Sequence, residues 1–185
     1  MQLLLQSCTR ARHSLSMVFA IANASFTTTY VYDDVDFFGL EERYGSELME
    51  RIYFHIAAFE INKVASLRPT GLNWGPMSHL VTAEFKTLWK SVFGKVWAQW
   101  RYENDLPHYH GPEFGASKDA RSPGPWRIEG DSLLAFCGGG KDSLVALKLL
   151  ERGGLDFATF AYSHSVYGDH QEQHRLVDGL LRHCP

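Results

Sequence analysis

Leu133-Leu134-Ala135-Phe136-Cys137-Gly138-Gly139-Gly140-Lys141-Asp142-Ser143 is the stretch whose reading decides the fold. The apolar run at its start reads as a buried strand, the three glycines as a tight turn, and Leu144-Val145-Ala146-Leu147-Lys148-Leu149-Leu150 as the body of a helix. Glycines in such a turn permit positive φ and let a bulky anion approach the backbone amides. The unpaired N–H groups and positive dipole end of the helix then favour phosphate. Cys137 reads as a small residue closing the buried strand rather than as a reactive thiol.

Working outward, the pattern predicts a helix over Asp142–Arg152, a C-terminal stop at Gly153-Gly154, and a second strand over Phe157–Tyr162. A further amphipathic stretch runs from about Asp169 to Arg182. Strand, helix and strand in this order form a βαβ unit, with parallel strands and a right-handed crossover. Two parallel strands do not make a stable open sheet. Residues 131–185 are therefore expected to be the start of a parallel α/β domain that is C-terminally incomplete, and the chain a fragment of a longer enzyme.

Upstream, Pro107, Pro112, Pro123 and Pro125, with glycines around Gly115, mark residues 105–130 as a linker. Residues 26–104 read as a mainly helical α+β domain. Phe26–Tyr32 is its strand, and a first helix begins at Ser46 as N-cap, with Leu48, Ile52, Ile56 and Phe59 as its apolar stripe. Glu60 and Lys63 interrupt that helix, either as an ion pair at i, i+3 or with Glu60 facing a substrate. A second helix, roughly Ser78 to Tyr102, carries Phe85, Trp89, Phe93, Val96 and Trp100 as a core-packing stripe. The polar cluster Arg101–Asn104 follows as a candidate cleft lining. His108 and His110 share a face in an extended segment, but no Cys or Asp at ligand spacing completes a metal set.

Residues 1–25 read as an untidy terminus or a targeting segment. No Asp or Glu occurs before Asp33, while Arg10, Arg12 and His13 do, and Leu15 to Ala24 is apolar. A formal net charge of −3 argues against general nucleic-acid binding. No apolar run is long enough to cross a bilayer, and three scattered cysteines build neither a zinc site nor a disulfide framework. The expected compartment is the cytoplasm, or an organelle if the acid-free terminus is a transit peptide.

Spacing narrows the kind of phosphate loop. A Walker A loop needs Ser or Thr after its lysine, and here Asp142 follows Lys141. A dinucleotide fingerprint needs Gly or Ala at position 143, which is Ser. Gly138-Gly139-Gly140-Lys141-Asp142-Ser143 instead resembles the S-G-G-x-D-S loop of the PP-loop ATP pyrophosphatase superfamily, departing from it at Gly138, where the family has Ser. The resemblance implies an adenine-nucleotide α-hydrolase-like parallel sheet, with ATP and Mg²⁺ as cofactors and pyrophosphate as leaving group. It implies that the amides of Gly139 to Ser143 and the Ser143 hydroxyl cradle pyrophosphate. Lys141 would add charge and Asp142 would hold Mg²⁺ or the helix turn. Lys141, Asp142 and Ser143 are thus the candidate catalytic residues, and Gly138 to Ser143 the nucleotide site. The adenine would sit at the end of the second strand, Phe160-Ala161-Tyr162-Ser163.

Within that superfamily the GGGKDS form resembles the ATP-dependent UDP-N-acetylmuramoyl-L-alanyl-L-glutamate epimerases of peptidoglycan synthesis. The helical region ahead of the loop, with Phe59–Lys63 and Trp100–Asn104, is loosely similar to their N-terminal domain, so the likeness runs from about Phe26 to Gly168. It implies a carboxylate-bearing partner such as a UDP-muropeptide, whose terminal glutamate is activated so that its α-proton becomes acidic. Glu60, Glu103 and His164 have the chemistry of the base this requires. The alternatives are another PP-loop enzyme, either a diphthamide amidase-like ligase or a tRNA thiolase, and a truncated nucleotide-binding protein without catalysis.

Overall fold

The computed structural model describes residues 1–115, 120, 122, 133–161 and 169–183. The chain is α/β with a mixed sheet, and it divides into two compact units, Met1–Gly124 and Pro125–Pro185.

The first unit opens with an antiparallel meander. β1 (Gln2–Arg10) pairs with β2 (Ser14–Ile21), and β2 pairs with β3 (Ala24–Val31). Leu15, Met17, Phe19 and Ile21 alternate inward along β2 and are buried, as are Leu3 and Leu5 of β1. The β2–β3 turn is the two-residue Ala22-Asn23, with Ala22 at φ 52°. The expectation of an untidy terminus over residues 1–25 is therefore corrected. Its apolar run, Leu15 to Ala24, forms β2 and the turn into β3, with one face in the core.

Two short strands, β4 (Gly71–Asn73) and β5 (Glu113–Phe114), extend the sheet in parallel, giving the order β3-β2-β1-β4-β5. Between β3 and β4 lie α1 (Phe37–Tyr44), capped by the Asp36 carboxylate, and α2 (Ser46–Glu60), followed by a 3-10 segment at Ile61–Leu67. α3 (Ala83–Val96), capped by Thr82, and α4 (Ala98–Glu103) complete the helical layer.

Helix boundaries and faces differ from the sequence expectation in instructive ways. Gly45 takes the N-cap position ahead of α2, and Ser46 is its first helical residue. The buried face of α2 is Met49, Tyr53, Phe54, Ala57 and Ala58, whereas Ile52 and Phe59 are exposed. The two alanines bring the helix backbone close to its neighbours, so the packed face is rotated from the one with the largest aliphatics. The segment expected as one helix over Ser78 to Tyr102 breaks at Trp97, whose φ of −88° and ψ of 6° leave the helical region. Trp97, and not Val96, therefore continues the buried series Phe85, Trp89, Phe93. Stacked and edge-on ring contacts join Phe54, Trp74, Phe85, Trp89, Phe93, Trp97 and Phe114 into one aromatic core.

Residues 105–115, expected as the start of a linker, belong to the first unit. The Tyr109 hydroxyl donates to the Pro69 carbonyl at 2.7 Å, and Phe114 is buried. Prolines there shape a packed return to the sheet edge. Pro123 and Pro125 lie outside the described residues.

The second unit holds β6 (Leu133–Phe136), α5 (Lys141–Arg152), β7 (Phe157–Phe160) and α6 (His170–Leu181). β6 and β7 are parallel, with Leu133 opposite Phe157 and Phe136 opposite Phe160. β6 is not the buried strand its composition suggests: Leu134 and Phe136 are 60% and 72% exposed. Only Ala135 packs inward, with Cys137, Leu147 and Val177 forming the small core.

Candidate functional site

The glycine turn is built by pairing that continues one step past β6. The Cys137 amide donates to the Phe160 carbonyl at 2.9 Å, and the Cys137 side chain is 2% exposed beneath the turn. The backbone then turns outward. The Gly138 amide donates to Ser143 Oγ at 3.0 Å, so the serine closes the turn from the first coil of α5. Gly140 is the N-cap of α5 in extended conformation and offers no side-chain hydrogen bond to the helix start. The first amides of α5 are thus left without a side-chain cap, which is the arrangement that receives an anion. Lys141 and Asp142, the first two residues of the helix, are exposed.

Gly139 is the turn's strictest position. Its φ is +78°, and a Cβ there would lie 3.2 Å from Leu176 Cβ and from the Val177 amide nitrogen on α6. Strain and collision act together, so Gly139→Ala is expected to destabilise the second unit by about 2 kcal/mol. Gly140→Ala, at negative φ with open space around its Cβ, is the matched control and should be close to neutral. Hydrogen exchange at α5 and α6 amides distinguishes them: faster exchange in the Gly139 variant alone is the expected result.

Between the turn and α6 lies a cleft of about 400 Å³. Gly139, Gly140, Lys141 and Leu144 form one wall, with Arg175 and His183 among the residues opposite. Arg175 is held by a charge pair with Glu172 one turn earlier on the same exposed helix. Neither Arg175 nor His183 stands out in sequence. The amphipathic pattern of α6 locates the helix, and only its packing against Gly139 brings these two to the turn.

The other candidates are dispersed. Glu60 is 1% exposed and accepts hydrogen bonds from Tyr30 Oη and, at 2.8 Å, from Lys63 Nζ. Burial opposes ionisation of this carboxyl, but hydrogen bonds from Lys63, Thr28 and Tyr30 hold its pKa below the ordinary value. Glu60 is thus the i, i+3 ion pair with Lys63, its carboxylate buried, and it lines none of the clefts described. Glu103 accepts from Gln99 Nε2 at 2.7 Å on the exposed side of α4, while Arg101 donates to the carbonyls of Gly94 and Tyr109 at 2.9 and 3.2 Å. Arg101 and Tyr102 line a shallow cleft with Pro107. His110 lies beside Arg101, and among the described residues no group of three or more His, Cys, Asp or Glu side chains could hold a metal ion. β7 ends at Phe160, two residues short of its expected end, and Ala161 follows it. Tyr162, Ser163 and His164 lie outside the described residues.

The family model of the MurL N-terminal domain matches residues 10–175, a span that contains both units' described elements from the end of β1 to the middle of α6. The chain belongs to the MurL N-terminal domain family. A curated relative from Salinispora tropica, named UDP-N-acetyl-alpha-D-muramoyl-L-alanyl-L-glutamate epimerase, is 38% identical over 73 residues. That match covers 38% of this chain and 16% of the relative, so the chain spans a small part of the relative's length. No solved structure matches. The MurL N-terminal domain match begins at residue 10, earlier than the resemblance seen in sequence, and so takes in β2 as well as β3. Among the described residues no helix is long and apolar enough to cross a membrane.

Proposed function

We propose that this chain serves a peptidoglycan-precursor epimerase acting on UDP-N-acetylmuramoyl-L-alanyl-L-glutamate, and that its glycine turn binds ATP as a PP-loop. The observation that carries the reading is the side-chain-uncapped turn between β6 and α5, in a chain of the MurL N-terminal domain family. The relative named as this epimerase supplies the substrate class.

The residues present fit a nucleotide's phosphates. Gly139 provides the positive φ, the start of α5 provides amides without a side-chain cap, and Lys141 and Arg175 are the charged residues of the cleft, with His183 beside them. Bound ATP would supply an adenylyl group to the substrate's terminal carboxylate and release pyrophosphate, making the neighbouring α-proton acidic. The amides of Gly139 to Ser143 would hold the departing phosphates, and Lys141 would offset their charge. Asp142 would carry Mg²⁺ jointly with phosphate oxygens, as single carboxylates do for this ion. Ser143 has a second duty here, since its oxygen already accepts from Gly138 and only its hydroxyl proton is left to donate. The enzyme of which this chain would be part works on a cytoplasmic precursor.

Calorimetry with ATP on the full chain tests the loop. Binding should require Mg²⁺ and be lost in Asp142→Ala and in Ser143→Ala, with the helical signal unchanged. Undiminished binding in both variants would overturn the PP-loop reading. In the catalytically competent protein, AMP and pyrophosphate are the expected products, and ADP would indicate kinase chemistry instead.

A further inference from the structure

Arg175 and Gly179 lie one turn apart on the face of α6 that looks onto the glycine turn, and both line the cleft of about 400 Å³. The approach of this face to the turn is close. A Cβ at Gly139 would lie 3.2 Å from Leu176 Cβ, and Leu176 follows Arg175 directly in the chain.

The Arg175 guanidinium is only partly engaged. Its Nε donates to Glu172 Oε2 at 2.8 Å and its Nη2 to Glu172 Oε1, while Nη1 has no partner among the described residues. The two side chains are 71% and 53% exposed. An ion pair so open to water contributes little, so an anion in the cleft competes for the guanidinium against a weak hold. Gly179 is a residue that helix packing does not ask for. Glycine inside an α-helix costs roughly 1 kcal/mol against alanine. Nothing lies within 4 Å of a Cβ built at Gly179, so no close neighbour requires it to be small. Helical side chains lean toward the N-terminus of their helix, so a larger residue at 179 would lie over the cleft beside Arg175. Glycine keeps that space open.

The amides at the start of α5 and the Lys141 ammonium approach an anion from the turn side only. Arg175 is the cation of the opposite wall, and its planar fork matches phosphate oxygens in pairs. We propose that Arg175 is the specificity-determining residue by which this site selects two linked phosphates over one, with the gap at Gly179 giving it room. The inference deepens the ATP reading above and rests on it. One phosphate of a linked pair sits on the turn, and the other extends to α6 and draws Arg175 away from Glu172. A lone phosphate is held by the turn and does not reach the second wall. The same contact places positive charge where two departing phosphates carry theirs.

The test is calorimetric titration of the full chain, in the presence of Mg²⁺, with ATP, with inorganic pyrophosphate and with inorganic phosphate. Pyrophosphate should bind the native chain at least about tenfold more tightly than phosphate, as expected for one added charge-assisted contact. Arg175→Gln should weaken ATP and pyrophosphate by at least about tenfold and leave phosphate unchanged. Gly179→Leu should weaken the same two ligands while raising the melting temperature, since leucine is the better helix former and meets open space. A merely structural role for Gly179 would instead lower stability and binding together. Glu172→Gln removes the competing carboxylate, so it should bind pyrophosphate at least as tightly as the native chain. Thermal melting confirms that each variant is folded. Equal affinity of the native chain for pyrophosphate and phosphate, undiminished pyrophosphate binding in Arg175→Gln or Gly179→Leu, or weaker binding in Glu172→Gln would each overturn the proposal. In all of these cases ATP binding by the native chain leaves the PP-loop reading standing. Failure of the native chain to bind either ATP or pyrophosphate would overturn that reading and this proposal with it.

Discussion

Gly75→Ala should be the most damaging single-methyl change in the first unit, lowering its stability by about 4 kcal/mol or more. Gly75 has φ +48°, and an added Cβ would sit 2.1 Å from the Leu5 carbonyl oxygen. That distance is far inside contact, and the opposing atom is backbone, so no side chain can swing away to relieve it. The collision falls where β1 is already irregular, since its register against β2 shifts between Leu5 and Ser7. On the other side, Gly75 is held by its amide, which donates to Asn73 Oδ1 at 2.9 Å, and by Pro76, which fixes the next turn. Relief would therefore require moving β1 away from the segment that follows β4, and Leu3 and Leu5 of β1 are both core residues. Gly45→Ala provides the scale. Gly45 has φ +88° with nothing within 4 Å of its Cβ, so only conformational strain of about 1–2 kcal/mol is expected. Urea unfolding followed by near-ultraviolet circular dichroism of the buried Trp74, Trp89 and Trp97 reads both. Similar midpoints for the two variants would show that the close approach of Gly75 to β1 is absent in solution.

The second unit was legible because its signals are local. Three consecutive glycines between an apolar tetrad and a helical pattern leave few conformations open, and both strands begin where their apolar runs begin. What composition could not reveal is that Leu134 and Phe136 face outward, since an apolar strand reads the same with one face covered or two. The sheet of the first unit was largely hidden for a physical reason. β2 alternates faithfully, but Val18 and Ala20 on its other face are apolar too, so the period of two is masked. β1 loses its period at the irregularity after Leu5, and β4 and β5, of three and two residues, are too short to have one. In α3 the step of four from Phe85 to Trp97 was present in the sequence. The expected stripe passes instead to Val96 and Trp100, because nothing local marks Trp97 as the end of α3.

Glu60→Gln should cost about 1–3 kcal/mol at neutral pH, with a dependence on pH that identifies the residue's role. The native carboxylate accepts from Lys63, from Tyr30 Oη and from Thr28, and is almost wholly buried. An amide in its place keeps the shape but replaces one acceptor oxygen with an NH₂ group that faces donors. Lys63 itself is 57% exposed, so its charge is largely met by water when Glu60 is gone, and the loss comes mainly from the hydroxyl contacts. Because the Glu60 pKa is lowered on folding, its charged form is worth more in the folded state. That contribution is complete above the ordinary carboxylate value of 4.5 and fades as pH falls through the lower folded value. The difference between native chain and Glu60→Gln should therefore be full at pH 7 and shrink below about pH 4.5. A difference that instead grew on acidification would mean that the group is held protonated. A carboxyl with a raised pKa is the better general base near neutrality, whereas a strongly solvated-by-protein carboxylate is a poor one. The expected pH trend thus makes Glu60 the anchor that ties the end of α2 to β3 rather than a general base.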